Sequence, residues 1–159
     1  MLAIVGPNSW GLVARVALAA LLTAFIGLER EFNGHPAGIR THAIVGLGAA
    51  LFTVAGAFGF SPQATDSPSR VAAQVVTGIG FLGAGTILRH RDRVRGLTTA
   101  ATLWFAAGVG VACGAGLLAI AAASTGIALV LLLAGRITDP MFRDRQRTDE
   151  YPRPESDTH

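Results

Sequence analysis

The residues of this chain that could do chemistry concentrate in one short segment, Glu29-Arg30-Glu31-Phe32-Asn33-Gly34-His35-Pro36-Ala37-Gly38-Ile39-Arg40-Thr41-His42. Glu29, Glu31 and His35 offer ligand atoms, but Mg²⁺ asks for near-octahedral oxygen and keeps several waters, and nothing in the spacing fixes that geometry. Zinc spacing is absent, and so is a serine or cysteine nucleophile beside a base. The residues therefore imply no enzyme and no cofactor, and they leave the question of a metal open. Two readings remain. One is an ion-paired helix end in which Glu29 and Glu31 neutralise Arg30 and Arg40; the other is a functional polar site built from Glu29, Arg30, Glu31, Arg40 and Thr41. Further along, Arg70, Gln74 and Thr77 make a second polar set, and Arg95, Thr98, Thr99 and Trp104 a third. Hydroxyls at Thr98 and Thr99 would cap a helix or bond across to a neighbouring one.

Gly78-Ile79-Gly80-Phe81-Leu82-Gly83 satisfies the G-x-G-x-x-G expression of dinucleotide loops. That motif works only after a strand, at a helix N-terminus and with an acidic residue about 20 positions on; here it lies inside an apolar run, which excludes the nucleotide reading. The glycines read better as packing positions. Gly78, Gly80, Gly83 and Gly85 in one segment, and Gly110 and Gly114 in another, would let helix backbones approach closely. With Gln74, Thr77 and Thr86 in the same segment as the first four, a hydrated path is the alternative.

The elements that must hold these residues follow from composition. Of 159 residues 51% are hydrophobic and 14% charged, with 20 glycines and a mean hydropathy of +0.49. Soluble domains carry about 25% charged residues, so the solvent for this chain is lipid. One cysteine, Cys113, excludes a disulfide framework. The charges are segregated, and the uncharged run 96–135 is twice the roughly 20 residues that a bilayer core of about 30 Å requires, so it must turn, most naturally at Gly114-Ala115-Gly116. Five spans result, at about 11–28, 43–60, 71–88, 97–113 and 117–135. Apolar segments of this length must be helices, because lipid cannot satisfy an open backbone. The expected fold is an all-α integral membrane protein, a five-helix transmembrane domain over 11–135 with a short outer N-terminus (1–10).

All 13 basic residues are arginine. Eleven (Arg30, Arg40, Arg89, Arg91, Arg93, Arg95, Arg136, Arg143, Arg145, Arg147 and Arg153) fall on one side of this topology, and Arg15 and Arg70 on the other. The positive-inside rule places the eleven in the cytoplasm, with the N-terminus outside. Arg15 can then snorkel outward beside Trp10. A pI near 10.4 is explained by the same distribution and gives no ground for nucleic-acid binding. The first span lacks a basic leader and reads as a retained anchor. Residues 136–159 hold five Arg, six acidic residues and three prolines, and are expected to be a charged, solvated, largely disordered cytoplasmic tail.

Four ordered blocks, Gly27-Leu28-Glu29-Arg30-Glu31, Ala37-Gly38-Ile39-Arg40-Thr41-His42-Ala43-Ile44-Val45, Ser69 to Gly85, and Arg95-Gly96-Leu97-Thr98-Thr99-Ala100-Ala101-Thr102-Leu103-Trp104, make the stretch from Gly27 to Gly116 resemble the MgtC/SapB family of bacterial inner-membrane proteins. The resemblance implies a five-span module with a cytoplasmic C-terminus, linked to growth at low magnesium, survival inside host cells, membrane potential and the F-type ATP synthase. It marks Glu29, Arg30, Arg40, Thr41, Arg70, Gln74, Arg95, Thr98, Thr99 and Trp104 as the family's polar and aromatic positions. Family members of the MgtC type carry a soluble C-terminal domain that 136–159 does not match, and Thr98 stands where some have asparagine. The function expected is that of a non-enzymatic regulator in the inner membrane. Its expected partners are the lipid bilayer, another membrane protein such as ATP synthase, and further copies of itself. The alternative is an oligomeric Mg²⁺ or proton transporter or channel.

Overall fold

The computed structural model describes residues 9–59, 68–90 and 93–149, and over 136–149 the course of the backbone alone. It contains helices α1 (Ser9–Phe32), α2 (Ile39–Phe58), α3 (Pro68–Thr86), α4 (Leu97–Gly114) and α5 (Leu118–Asp149). Strands β1 (Leu88–His90) and β2 (Arg93–Arg95) lie between α3 and α4. Four of the helices, α1, α2, α4 and the Leu118–Gly135 part of α5, are long and apolar enough to cross a membrane. The protein is thus a multi-pass helical membrane protein.

The core is where α1, α2 and α4 meet, and small residues build it. A side chain on Gly110 would run into the backbone of Gly46 and into Ala49, and one on Gly114 would come within 2.7 Å of Thr53 Cβ and 2.8 Å of the Ala50 carbonyl. Gly46 likewise abuts Thr23 of α1. Without a hydrophobic drive between helices in lipid, such close backbone approach is the main source of cohesion. Ala19, Ala50, Val109, Cys113 and Ala121 are buried together beside this seam. Thr23, Thr53 and Thr125 are buried too, each hydroxyl donating to the carbonyl four residues back.

Three differences from the sequence expectation have physical causes. First, α3 is long enough, at 19 residues, but is not among the helices apolar enough to span, because Ser69, Arg70, Gln74, Thr77, four glycines and three alanines dilute its aliphatic content. It nevertheless runs alongside α2 and α4, from Val71 against Gly56 at one end to Gly83 against Ala100 at the other. Of its four glycines only Gly83 meets another element; nothing lies within 4 Å of a side chain placed on Gly78, Gly80 or Gly85. Among the described residues nothing packs directly against those three, since α3 sits at the bundle's edge. Second, the fold is not wholly helical. Strands β1 and β2 pair antiparallel, Leu88 with Arg95, Arg89 with Val94 and His90 with Arg93. A connection this short between antiparallel helices meets its own backbone hydrogen bonds by pairing. Gly96 closes it at φ +89°, in the left-handed region where a side chain is strained. Third, α5 does not stop at Gly135 but continues to Asp149. Extending an existing helix needs no new nucleus, and arginine, methionine and glutamine are good helix formers. The rest of the expected tail, 150–159, and most of the short N-terminus lie outside the described residues.

The helix ends also sort the arginines. Arg30, Arg40, Arg89 and Arg95 lie at the end shared by the α1–α2 turn and the hairpin. At the other end, the half-buried Arg15 donates from Nη1 to the Gly114 carbonyl at 3.4 Å, and its guanidinium lies 3.2 Å from where a side chain on Gly116 would begin. A cation against the last carbonyls of α4 complements the helix dipole.

Candidate functional site

At the arginine-rich end, α1, α2 and α4 converge on a cluster of buried polar side chains. Arg30 occupies the last turn of α1, where its charge complements that helix's dipole, yet it is only 4% exposed. What lets α1 turn back so tightly is Gly27: a side chain there would come within 2.6 Å of the Gly38 carbonyl and 2.7 Å of Ile39 Cα. Glu31 then secures the start of α2. Its Oε2 accepts the Ile39 N–H at 2.9 Å and its side chain lies over Gly38, which has no room for a Cβ. In a helix start whose N-cap glycine offers no side chain, this carboxylate replaces the cap.

The turn points Arg30 and His42 at the first turns of α4. Arg30 Nη2 donates to Thr99 Oγ1 at 3.4 Å, so its partner is a hydroxyl and not a carboxylate. Thr99 is 2% exposed. His42, fully buried, places Nδ1 3.0 Å from the Gly38 carbonyl and Nε2 3.1 Å from Thr102 Oγ1. A carbonyl only accepts, so Nδ1 carries the proton, and Nε2 of the neutral ring takes the Thr102 hydroxyl proton. Thr102 Oγ1 also lies 2.9 Å from the Thr99 carbonyl. Two acceptors therefore compete for one hydroxyl proton, and the ring, both threonines and the arginine form one coupled network.

Beside it three buried polar atoms have no partner among the described residues: Arg30 Nε, Glu29 Oε2 and His35 Nδ1. Glu29 uses its other oxygen to accept from Asn33 Nδ2. Unmet donors and acceptors of this kind are expensive in a low-dielectric setting and mark a place where structure alone does not account for the residues. Among the described residues no group of three or more His, Cys, Asp or Glu is arranged to hold a metal ion.

Of the residues singled out in the sequence, the structure brings Glu29, Arg30, Glu31 and Thr99 to this cluster. Arg40, Thr41, Arg95 and Thr98 lie on the same end but are exposed. Trp104 is 56% exposed on the outside of α4. Arg70, Gln74 and Thr77 are exposed on α3, apart from the cluster, with the Thr77 hydroxyl donating to the Ala73 carbonyl at 3.0 Å. Gln74 edges a groove of about 490 Å³ between α2 and α3, otherwise lined by apolar side chains and glycine, including Ile44, Phe52, Val75, Gly78 and Leu82. Sequence reasoning missed His42 and Thr102 as site residues. Thr99 and Thr102, three apart on one helix face, were the available signal.

The fold and this cluster define a class: a polytopic membrane protein of small-residue helix packing with a buried polar network at its arginine-rich end. The family model described as MgtC family matches residues 16–139, and the chain belongs to that family. It is 54% identical over 112 residues to Protein MgtC of Brucella abortus (strain 2308), covering 70% of this chain and 46% of the relative. It is 51% identical over 117 residues to Protein MgtC of Salmonella typhimurium (strain 14028s / SGSC 2262), covering 74% and 49% respectively. The chain thus spans about half the length of these relatives. No solved structure matches it.

Proposed function

We propose that this protein is a non-enzymatic regulator in the bacterial inner membrane. In this reading all five helices cross the bilayer, the arginine-rich end faces the cytoplasm, and the protein acts in adaptation to low magnesium by contacting a membrane partner such as ATP synthase. The observation that carries the reading is the burial of the polar network. Arg30, His42, Thr99 and Thr102 are 4%, 0%, 2% and 7% exposed and bond to one another and to backbone, with the glycine seam of α2 and α4 packed beneath them. A conduction path needs polar groups that water or an ion can reach and leave; side chains buried among the helices and bonded to one another suit a rigid scaffold that presents the exposed Arg40, Thr41, Arg95 and Thr98 around it. Family membership supports the magnesium link. The test is capture of the protein from native membranes in lipid particles, comparing wild type with Arg40→Ala and Thr98→Ala. Loss of a co-purifying membrane partner in the variants, at unchanged protein level, is the expected result; the absence of any partner with wild type defeats the proposal.

The second reading, an oligomeric transporter or channel for Mg²⁺ or protons, is favoured by one observation, the exposed Gln74 and Thr77 on glycine-rich α3. It would require a path formed outside the closed core.

A further inference from the structure

Helix α3 poses a problem that lipid does not solve. It has 19 residues and a single charge, Arg70, yet too little apolar content to span by itself. One side is accounted for: Ile79 and Gly83 are buried, and Val75 packs against the buried cluster that Ile79 forms with Ala49 of α2 and Ala107 of α4. The opposite side, comprising Ala73, Gln74, Thr77, Gly80, Phe81 and Ala84, is exposed, with Phe81 at 84%. The Thr77 hydroxyl is bonded within the helix, whereas the Gln74 amide makes no hydrogen bond among the described residues. Hydrocarbon offers such an amide nothing, and leaving it unmet is costly. The contrast with α5 is sharp, since that helix exposes Ile127, Val130 and Leu131, which lipid covers readily.

We propose that this face of α3 is the contact surface for a second copy of the chain, in a parallel two-fold pair. The spacing argues for it. Gln74 and Phe81 are seven apart and lie on one line along the helix, and around them Ala73, Thr77, Gly80 and Ala84 recur at intervals of four, three and four. In parallel helix pairs the side chain at position i enters a hole made by four residues of the partner, i−4, i−1, i and i+3. For Phe81 that hole is Thr77, Gly80 and Ala84, all small, closed on its fourth side by Phe81 of the other copy. Knob and hole thus reside on the same surface, which is the condition for a self-complementary two-fold interface. Glutamine carries both donors and an acceptor, so its own copy is its complement, and the small residues let the backbones approach. The inference rests on the membrane setting alone and stands or falls separately from the regulatory reading.

The test is cysteine cross-linking of the full chain in native membranes, with the buried Cys113 replaced by alanine. Thr77→Cys and Ala84→Cys should each give an oxidised species of twice the chain mass, while Val130→Cys on exposed α5 gives less than about a tenth of that yield. Adding Gln74→Leu to Ala84→Cys should cut the yield several-fold, and leucine at that position favours insertion. Native mass spectrometry of the unsubstituted chain in nanodiscs supplies a readout independent of any variant, and should give a dimer. A monomer there, equal cross-linking at Val130, an adduct of some other mass, or an unchanged yield with Gln74→Leu would each overturn the proposal.

Discussion

Arg30 and Thr99, 69 positions apart in the chain, meet through a 3.4 Å hydrogen bond inside the protein, one closing α1 and the other opening α4. A second bond, between His42 and Thr102 at 3.1 Å, ties the start of α2 to the same stretch of α4. Removing one partner leaves a buried guanidinium unmet, whereas removing both leaves an apolar contact. Thr99→Val should therefore destabilise the bundle by about 1.5–3 kcal/mol, and Arg30→Met with Thr99→Val by less than the sum of the single changes. Unfolding equilibria in detergent or bicelles measure both; strict additivity would show that the bond contributes nothing.

His42 bridges α2 to α4 while holding its own helix start. His42→Ala should cost more than Thr102→Val, because it empties a fully buried site and removes both contacts. His42→Asn should recover part of the loss if the remaining amide reaches Gly38. The same unfolding assay, with helicity by circular dichroism as a control, reads the order.

The glycines divide by what surrounds them. Gly110→Ala drives a methyl into the backbone of α2 and should destabilise by about 1–3 kcal/mol. Gly108, two residues away with nothing within 4 Å, should tolerate alanine or gain up to about 1 kcal/mol from helix propensity. Equal effects at the two positions would contradict the helix packing described.

Gly116 adopts φ +86°, beneath the Arg15 guanidinium. Gly116→Ala should cost about 1–2 kcal/mol for the left-handed backbone alone, and Arg15→Gln should loosen the α4–α5 turn. Hydrogen exchange at residues 115–118, faster in both variants and unchanged elsewhere, is the expected pattern.

Much of this was legible in the residues. Long uncharged runs gave the helices, Gly114-Ala115-Gly116 marked the turn that the structure places between α4 and α5, and Gly110 and Gly114 face α2. The network was harder to see because α2 is apolar on every side: Ile44, Leu47, Leu51 and Phe52 are all exposed large side chains, so no periodicity told which side of the helix His42 shares with α4. The glycines of α3 misled for a related reason. Small residues permit close approach without specifying the neighbour, and Gly78, Gly80 and Gly85 have none within 4 Å among the described residues. Glu29 and Glu31 suggested ion pairs, but Glu31 was needed at the α2 start and Glu29 beside Asn33.

The central claim is that the polar residues of this chain build a closed scaffold and not a conduction path. Flux of Mg²⁺ and of protons into liposomes containing the purified protein, under an imposed membrane potential, tests it most directly. Rates equal to those of empty vesicles are expected, for wild type and for Gln74→Ala alike. Flux above that baseline that falls with Gln74→Ala would contradict the claim.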